Sequence, residues 1–319
     1  MGAAAEGKVL EMTRTQILDA FDRIRVWQQG DKRAPHKPLL VLLALGRLQR
    51  GEPGTIEFSQ IDAPLKALID EFGPSGAGRN RQLPFWHLAT DDNGGLWQLT
   101  GPASILQRAR GATPTLTELR EHHISGGFAP AIINALRNDP GLIQEVARRI
   151  LDAHFPETLH ADILATVGLN LAETRKARSE ESEYNRRNRD PGFRERILRA
   201  YEYRCCVCGY DLRLGQQSIG LEAAHIKWFQ AGGPDVESNG LAMCALHHKI
   251  FDLGAFTVHA STYRIEFSRH VIGHNVTGQT LLSKHGSEIL PPQSRDYLPD
   301  ADFLGWHHEQ VFKKPAREL

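Results

Sequence analysis

The run from Cys205 to Asp252 constrains this chain more than any other segment. It reads Cys205-Cys206-Val207-Cys208, then Glu222-Ala223-Ala224-His225, then Asn239-Gly240-Leu241, then Cys244-Ala245-Leu246-His247-His248. All four cysteines of the 319-residue chain fall in it. A disulfide framework would spread them along a secreted chain, whereas tight clustering favours a metal. Zinc takes four ligands in a tetrahedron, and two short-spaced pairs on turns converge on one point. Cys205 with Cys208 form the first pair and Cys244 with His247 the second, leaving Cys206 as a structural thiol. The competing reading is a redox Cys-x-x-Cys, but no βαβ pattern surrounds it. Between the pairs the pattern predicts two short strands, a loop holding Gly232-Gly233-Pro234, and a helix through Asp252. Zinc here would staple that helix to the cysteine knuckle and fix His248 opposite His225.

The length suffices for two domains, and a hydrophobic fraction of 41% supports full cores. The longest apolar run, Pro38 to Leu45, falls short of the ~18 residues of a membrane span. The N-terminus lacks a basic segment followed by an apolar core and cleavage site. A soluble, cytoplasmic protein with no membrane partner is expected. With 38 basic and 38 acidic side chains there is no strong overall field, so nucleic-acid binding must rest on local basic patches.

The predicted fold class is α+β in two domains. Residues 1–164 form a mostly helical domain with a small β element. Thr13 caps a helix over 12–29 with Ile17, Phe21, Ile24 and Trp27 or Gln28 on one stripe. Gly30 to Pro38 is a rigid basic loop, Leu39 to Arg50 a buried helix, Thr55 to Phe58 a strand and Ile61 to Phe72 a helix. Gly73 to Arg81 is a loop, and Leu88 to Leu99, turning at Asp91-Asp92-Asn93-Gly94-Gly95, a hairpin. Helices follow over 103–110, 114–122, 129–137 and 140–153. Residues 165–192 are a polar helical linker whose basic side can contact phosphates, and 193–319 form the second domain, opened by an amphipathic helix from Phe193 to Tyr203.

The elements Ala-Ala-His-Ile, Asn-Gly-Leu and His-His-x-x-Phe-Asp, in this order and spacing, make the region 200–255 resemble the HNH endonucleases and their ββα-metal motif. The resemblance implies His225 as general base, Asn239 as an orienting or ligating residue, and His248 as ligand to a catalytic Mg²⁺ or Mn²⁺, beside the structural Zn²⁺. A neutral imidazole with an ordinary pKa near ~6.5 can take a proton from water. Many members carry a metal-binding Asp just before the first His, where this chain has Ala224. Glu222 is a candidate substitute, and Asp252, one helical turn past His248, can orient its imidazole or be a plain surface carboxylate.

Two N-terminal segments suit a DNA reader: Lys32, Arg33, His36 and Lys37 in one, and Arg79-Asn80-Arg81-Gln82 followed by Leu83-Pro84-Phe85-Trp86-His87 in the other. Cations can position phosphates, while Arg, Asn and Gln can read base edges. A Pro-His-Lys-Pro loop leading into a Leu-rich helix, then Pro-Phe-Trp-x-Leu, joined to a C-terminal HNH region, is similar to the phosphorothioate-dependent, McrA-like restriction endonucleases. That resemblance implies an N-terminal sulfur-binding domain recognising double-stranded DNA with one non-bridging phosphate oxygen replaced by sulfur. His36 and Lys37 would lie near the modified backbone, Pro84 and its neighbours would line the sulfur pocket, and Arg79, Asn80 or Arg81 would read flanking bases; Arg33 and His87 are further candidate DNA-binding residues. The competing readings keep Phe85 and Trp86 as core, His36 as a helix-start residue, and Arg33 and Arg79 as surface charges. One HNH site cuts one strand, so a homodimer is expected for double-strand cleavage. Two alternatives stay open: an HNH endonuclease reading methylated or otherwise modified bases, with Trp86 and Trp97 as an aromatic cage, and a non-catalytic, zinc-stabilised DNA-binding regulator. Trp306-His307-His308 is expected in a closing helix that packs on the second domain.

Overall fold

The computed structural model of the chain describes residues 12–30, 32–108, 112–171 and 190–318. The basic stretches at 173–178 and 184–189, expected in the linker, lie outside the described residues. Two hydrophobic clusters form, one built mainly by residues before 170 and one by residues from Phe193 onward.

Helix α1 spans Arg14–Asp22, and Thr13 and Gln16 close a reciprocal capping box at its start. It stops well short of residue 29. Trp27–Gln29 (β1) and Lys32–Ala34 (β2) instead pair as a hairpin, turned by Gly30 at a φ of 55°. Trp27, expected on the helix stripe, is 56% exposed. Residues 36–38, expected in the loop, already belong to helix α2, His36–Gln49. Strand β3 (Thr55–Glu57) leads into α3 (Phe58–Phe72).

The expected hairpin over 88–99 does not form. Gln82–His87 is helix α4, Leu88–Gly94 winds as a 3-10 turn, and Trp97–Thr100 (β4) pairs with Ser125–Phe128 (β5), which also pairs with β3. The cause is Asp91. Its buried carboxylate accepts from Lys37 Nζ at 2.8 and 2.9 Å and from the Arg25 amide at 3.1 Å, which holds the segment against α2. Strand β5 lies between two expected helices and carries Gly126-Gly127, which weaken a strand pattern. A Cβ at Gly126 would meet the Phe85 and Trp97 rings at 2.8 Å, so the glycine lets those rings pack directly on the strand backbone. Helices α5 (Ala103–Leu106) and α6 (Leu116–Glu121) are shorter than expected, while α7 (Pro130–Asn138) and α8 (Pro140–His154) match their expected ranges to within one residue at each end. A further helix, α9 (Glu157–Val167), runs past residue 164.

The second region opens with α10 (Phe193–Ala200), its Phe193, Ile197 and Leu198 buried. A small hairpin, β6 (Arg213–Leu214) with β7 (Gln217–Ser218), precedes the antiparallel pair β8 (Leu221–His225) and β9 (Gly240–Cys244). Helix α11 (Ala245–Asp252) follows β9 without a break. This is the expected strand, strand, helix order. Strands β10 (Phe256–Val258) and β11 (Ile265–Phe267) pair, and α12 (Val276–Leu282) and α13 (Ala301–Gln310) complete the chain. Trp306 and His307 lie in a closing helix, as expected, but Trp306 joins the N-terminal hydrophobic cluster instead of packing on the second domain. The His307 ring stacks on Phe251 at 3.7 Å and bonds the Thr257 hydroxyl and the Phe251 carbonyl, so it is packing and not a metal ligand. No helix among the described residues is long and apolar enough to cross a membrane.

Candidate metal centre and active site

The cysteine knuckle after α10 and the β9–α11 junction bring four soft donors together. The ligand atoms of Cys205, Cys208, Cys244 and His247 all lie within 4.8 Å of one another. His247 turns Nδ1 toward the thiols, 3.1 Å from Cys244 Sγ and 3.7 Å from Cys205 Sγ. Hydrogen bonds from Cys208 and then Cys244 hold the Cys205 thiol well below its ordinary range, against the opposing effect of burial. The same hydrogen bonds raise Cys244 and Cys208, so the three sulfurs share one favoured thiolate, a form that binds metal. Three sulfurs and one imidazole nitrogen, converging at these separations, fit tetrahedral zinc. Cys206 stands outside the group. Burial pushes its thiol far up, which makes it a core residue.

Helix α11 starts at the metal cluster, so its second histidine is fixed by the first. His248 lies between two carboxylates: Nδ1 is 2.6 Å from Glu222 Oε2, and Nε2 is 3.2 Å from Asp252 Oδ2. Burial would lower the pKa of His248, but the charges and hydrogen bonds of Asp252 and then Glu222 raise it to about 10. Glu222 is about half exposed and Asp252 only 3% exposed. The outer carboxylate is thus accessible to an ion and the inner one is a fixed partner of the ring. Ala224, in the position of the missing Asp, is fully buried. Glu222 on the same strand reaches the histidine instead.

His225, at the end of β8, stacks on Phe193 with ring centroids 4.2 Å apart. Its Nε2 is 2.7 Å from Asp235 Oδ1, and Asp235 Oδ2 accepts from the Asp190 amide at 2.7 Å. Asp235 was not singled out in the sequence. The only signal was its place directly after the Gly232-Gly233-Pro234 turn, between the motifs at 225 and 239. Asn239 is fully buried and clamps that loop. Its Oδ1 accepts from the Lys227 amide at 2.8 Å, and its Nδ2 donates to the carbonyls of Lys227 and Pro234 at 3.0 Å. Both ends of the amide thus bond backbone, the geometry of an orienting residue.

In the N-terminal region α2 and α4 pack together, so the two expected basic segments converge. His36 and Lys37 open α2, and the Lys37 charge and Asp91 both act on His87, whose pKa burial lowers. His87 Nε2 lies 2.9 Å from the Thr113 hydroxyl. Burial lowers His36 to about 4, which keeps its ring neutral near pH 7. Arg79 and Asn80 are exposed on a 3-10 turn, as a reader requires. Arg81 corrects the expectation. It is buried, pairs with Asp62 alongside Arg120, and donates to the Gly78 carbonyl at 3.1 Å, so it braces the turn and cannot reach a base. Pro84 is likewise buried in α4, and Leu83, 37% exposed, is the apolar group this segment presents. Arg33 is partly buried and donates to the His154 carbonyl at 3.1 Å, at the end of α8. Trp97 is core, edge-on to Phe85 and Phe128, which removes it from any exposed aromatic cage.

Residues 14–172 match the family model described as ScoMcrA-like, DNA sulfur-binding domain, and residues 205–259 match that of the HNH endonucleases. The chain joins a ScoMcrA-like DNA sulfur-binding domain to an HNH domain. Similar solved structures include the sulfur binding domain of ScoMcrA complexed with phosphorothioated DNA, at 23% identity over 48% of this chain and 94% of that one, with a TM-score of 0.42. The sulfur binding domain of SprMcrA complexed with phosphorothioated DNA shares 22% identity over 50% and 95%, with a TM-score of 0.38. The Type IV phosphorothioation-dependent restriction endonuclease ScoMcrA shares 14% identity over 86% and 87%, with a TM-score of 0.37. No curated protein matches the chain.

Proposed function

We propose that this chain is a modification-dependent DNA endonuclease that binds phosphorothioated DNA through residues 14–172 and hydrolyses a nearby phosphodiester with its HNH centre. The observation that carries the reading is a His225–Asp235 pair and a Glu222–His248 pair, built by the HNH motif on a chain that also holds a DNA sulfur-binding domain.

Asp235 accepts from Nε2–H of His225, which fixes the tautomer whose Nδ1 carries the lone pair. That nitrogen takes a proton from water as the water oxygen attacks phosphorus. The P–O bond to the leaving sugar breaks, and its oxygen departs with the bonding electrons. Asp235 stabilises the imidazolium that forms. Glu222 and Nδ1 of His248 would be the donor pair for Mg²⁺ or Mn²⁺, hard cations that suit a carboxylate, an imidazole and water, with the ion displacing the proton that the two carboxylates otherwise hold on the ring. Such an ion, when bound, neutralises charge on the phosphate and the leaving oxygen. Asp252 keeps the His248 ring oriented from behind. Cys205, Cys208, Cys244 and His247 hold structural Zn²⁺, and Asn239 fixes the loop that carries Asp235.

On the recognition side, Arg79 and Asn80 contact the duplex, and Leu83 with His36, Lys37 and His87 forms the wall facing the modified phosphate. Sulfur is larger and more weakly hydrated than oxygen, so a partly apolar wall accepts it at lower desolvation cost. Two copies, each cutting one strand, would give double-strand breaks. The test is incubation of phosphorothioated and unmodified plasmid with the protein in Mg²⁺ or Mn²⁺, beside His225→Ala. The modified plasmid alone is cut, and His225→Ala binds it without cutting. Equal cutting of both plasmids, or cutting by the variant, overturns the assignment.

A further inference from the structure

The two domains share an interface that reaches the candidate active site. Helix α9, the last of the N-terminal region, lies against α11, which carries His248. Thr158 and Asp162, four apart on α9, meet Lys249 and Asp252, three apart on α11, so each helix offers one face. Lys249 pairs with Asp162 and donates to the Thr158 carbonyl. The Thr158 hydroxyl donates to Asp252 Oδ2, the oxygen that also faces His248 Nε2 at 3.2 Å. Trp228 Nε1 donates to the other oxygen, Oδ1, at 3.1 Å.

Asp252 is thus a buried carboxylate bonded from three sides, and one of those bonds crosses from the other domain. The contact is not isolated. Trp228 and Trp306, both from the second half of the chain, pack edge-on at 5.8 Å and join the N-terminal core. Lys313 donates to the carbonyls of Asp70 and Gly73 at the end of α3, at 3.1 and 2.7 Å. These contacts belong to the same interface, so the Thr158 bond is one of several that join the two domains.

We propose that Thr158, in the DNA sulfur-binding domain, is a positioning residue of the HNH centre: its hydroxyl holds Asp252 against His248 and so sets the ring for ion binding. A carboxylate behind a ligating histidine fixes ring orientation and raises ligand basicity, and loss of such a partner costs about 10- to 100-fold in metal affinity or activity. Thr158 acts one bond further out, so its removal falls at the low end of that range. The reading domain then contributes one hydrogen bond to the cutting centre.

This inference rests on the nuclease reading, and the test separates the two. Full-length zinc-loaded protein, Thr158→Val, Thr158→Ser and His248→Ala are compared by Mn²⁺ titration monitored by electron paramagnetic resonance, by affinity for phosphorothioated DNA, and by single-turnover cleavage. Thr158→Val weakens Mn²⁺ binding about tenfold and slows cleavage by a similar factor, leaves DNA affinity within about twofold, and is rescued by Thr158→Ser, which restores the hydroxyl. Unchanged Mn²⁺ binding in Thr158→Val overturns the inference, as does equal loss in Thr158→Ser, which would mark a packing role. Mn²⁺ binding unaffected by His248→Ala overturns it as well. Wild-type protein that binds Mn²⁺ but cuts neither DNA would sink the nuclease reading while the Mn²⁺ series still decides the role of Thr158.

Discussion

Replacing Asp235 with Asn probes the general base without touching either proposed metal site. Asp235 Oδ2 accepts from the Asp190 amide, and Oδ1 faces His225 Nε2 at 2.7 Å, with both side chains largely buried. An Asn that keeps its carbonyl on the Asp190 amide presents NH₂ to His225. That reverses the tautomer and places the ring proton on the nitrogen that should receive one from water. It also removes the charge that stabilises the imidazolium. A hydrogen bond to a charged group contributes roughly 1.5–3 kcal/mol. At about 1.4 kcal/mol per tenfold, the single-turnover rate should fall by roughly 10- to 150-fold. The assay is cleavage of phosphorothioated plasmid with enzyme in excess, beside zinc content and DNA affinity. Both of those should match the wild type, because Asp235 contacts neither the zinc cluster nor the N-terminal reader segments. A wild-type cleavage rate in Asp235→Asn would refute the base assignment built on this pair.

Other outcomes follow from the same geometry. Purified protein should hold about one zinc per chain, retained in Cys206→Ala and lost in Cys244→Ala; metal analysis that finds the reverse contradicts the ligand set. Arg81→Ala should destabilise by roughly 1–3 kcal/mol in urea melts with unchanged DNA selectivity, because Asp62 keeps only Arg120, whereas Arg79→Ala should weaken DNA binding with little change in stability. Burial lowers His307 to about 3, so below its ordinary ~6.5 the unfolded chain takes up a proton that the folded chain does not. Its stabilising contribution is complete above pH ~6.5 and is lost as pH falls toward 3, at up to about 1.4 kcal/mol per pH unit. His307→Gln should lose less stability than the wild type between about pH 6.5 and 4.5, read from urea midpoints; parallel losses would remove that account.

The Cys205, Cys208, Cys244 and His247 cluster and the separation of His247 from His248 were legible because both depend on local spacing: two turns converge four donors, and one helix parts the two histidines. Asn239 was legible as a motif member, but its task of clamping Lys227 and Pro234 appears only once the loop closes. Asp235 was not, since nothing in the chain order says which loop carboxylate will face His225. The misread elements share one cause. The 88–99 segment is held by Lys37 and Arg25 from distant sequence, and β5 carries Gly126 because Phe85 and Trp97 need its surface. Arg81 has the residue type of a base reader, but it is buried and paired with Asp62, nineteen residues away. Thr158 carried no signal at all, because its role depends on the packing of α9 on α11.

The most direct measurement uses two synthetic duplexes identical except for one non-bridging phosphate oxygen replaced by sulfur. Affinity and cleavage are followed on both at one salt concentration, in Mn²⁺. Preference for the sulfur duplex by at least about tenfold in affinity, a difference of about 1.4 kcal/mol, with cleavage confined to it, is the result expected of a sulfur-reading domain that serves an HNH centre. Equal affinity and equal cleavage of the two duplexes would contradict it.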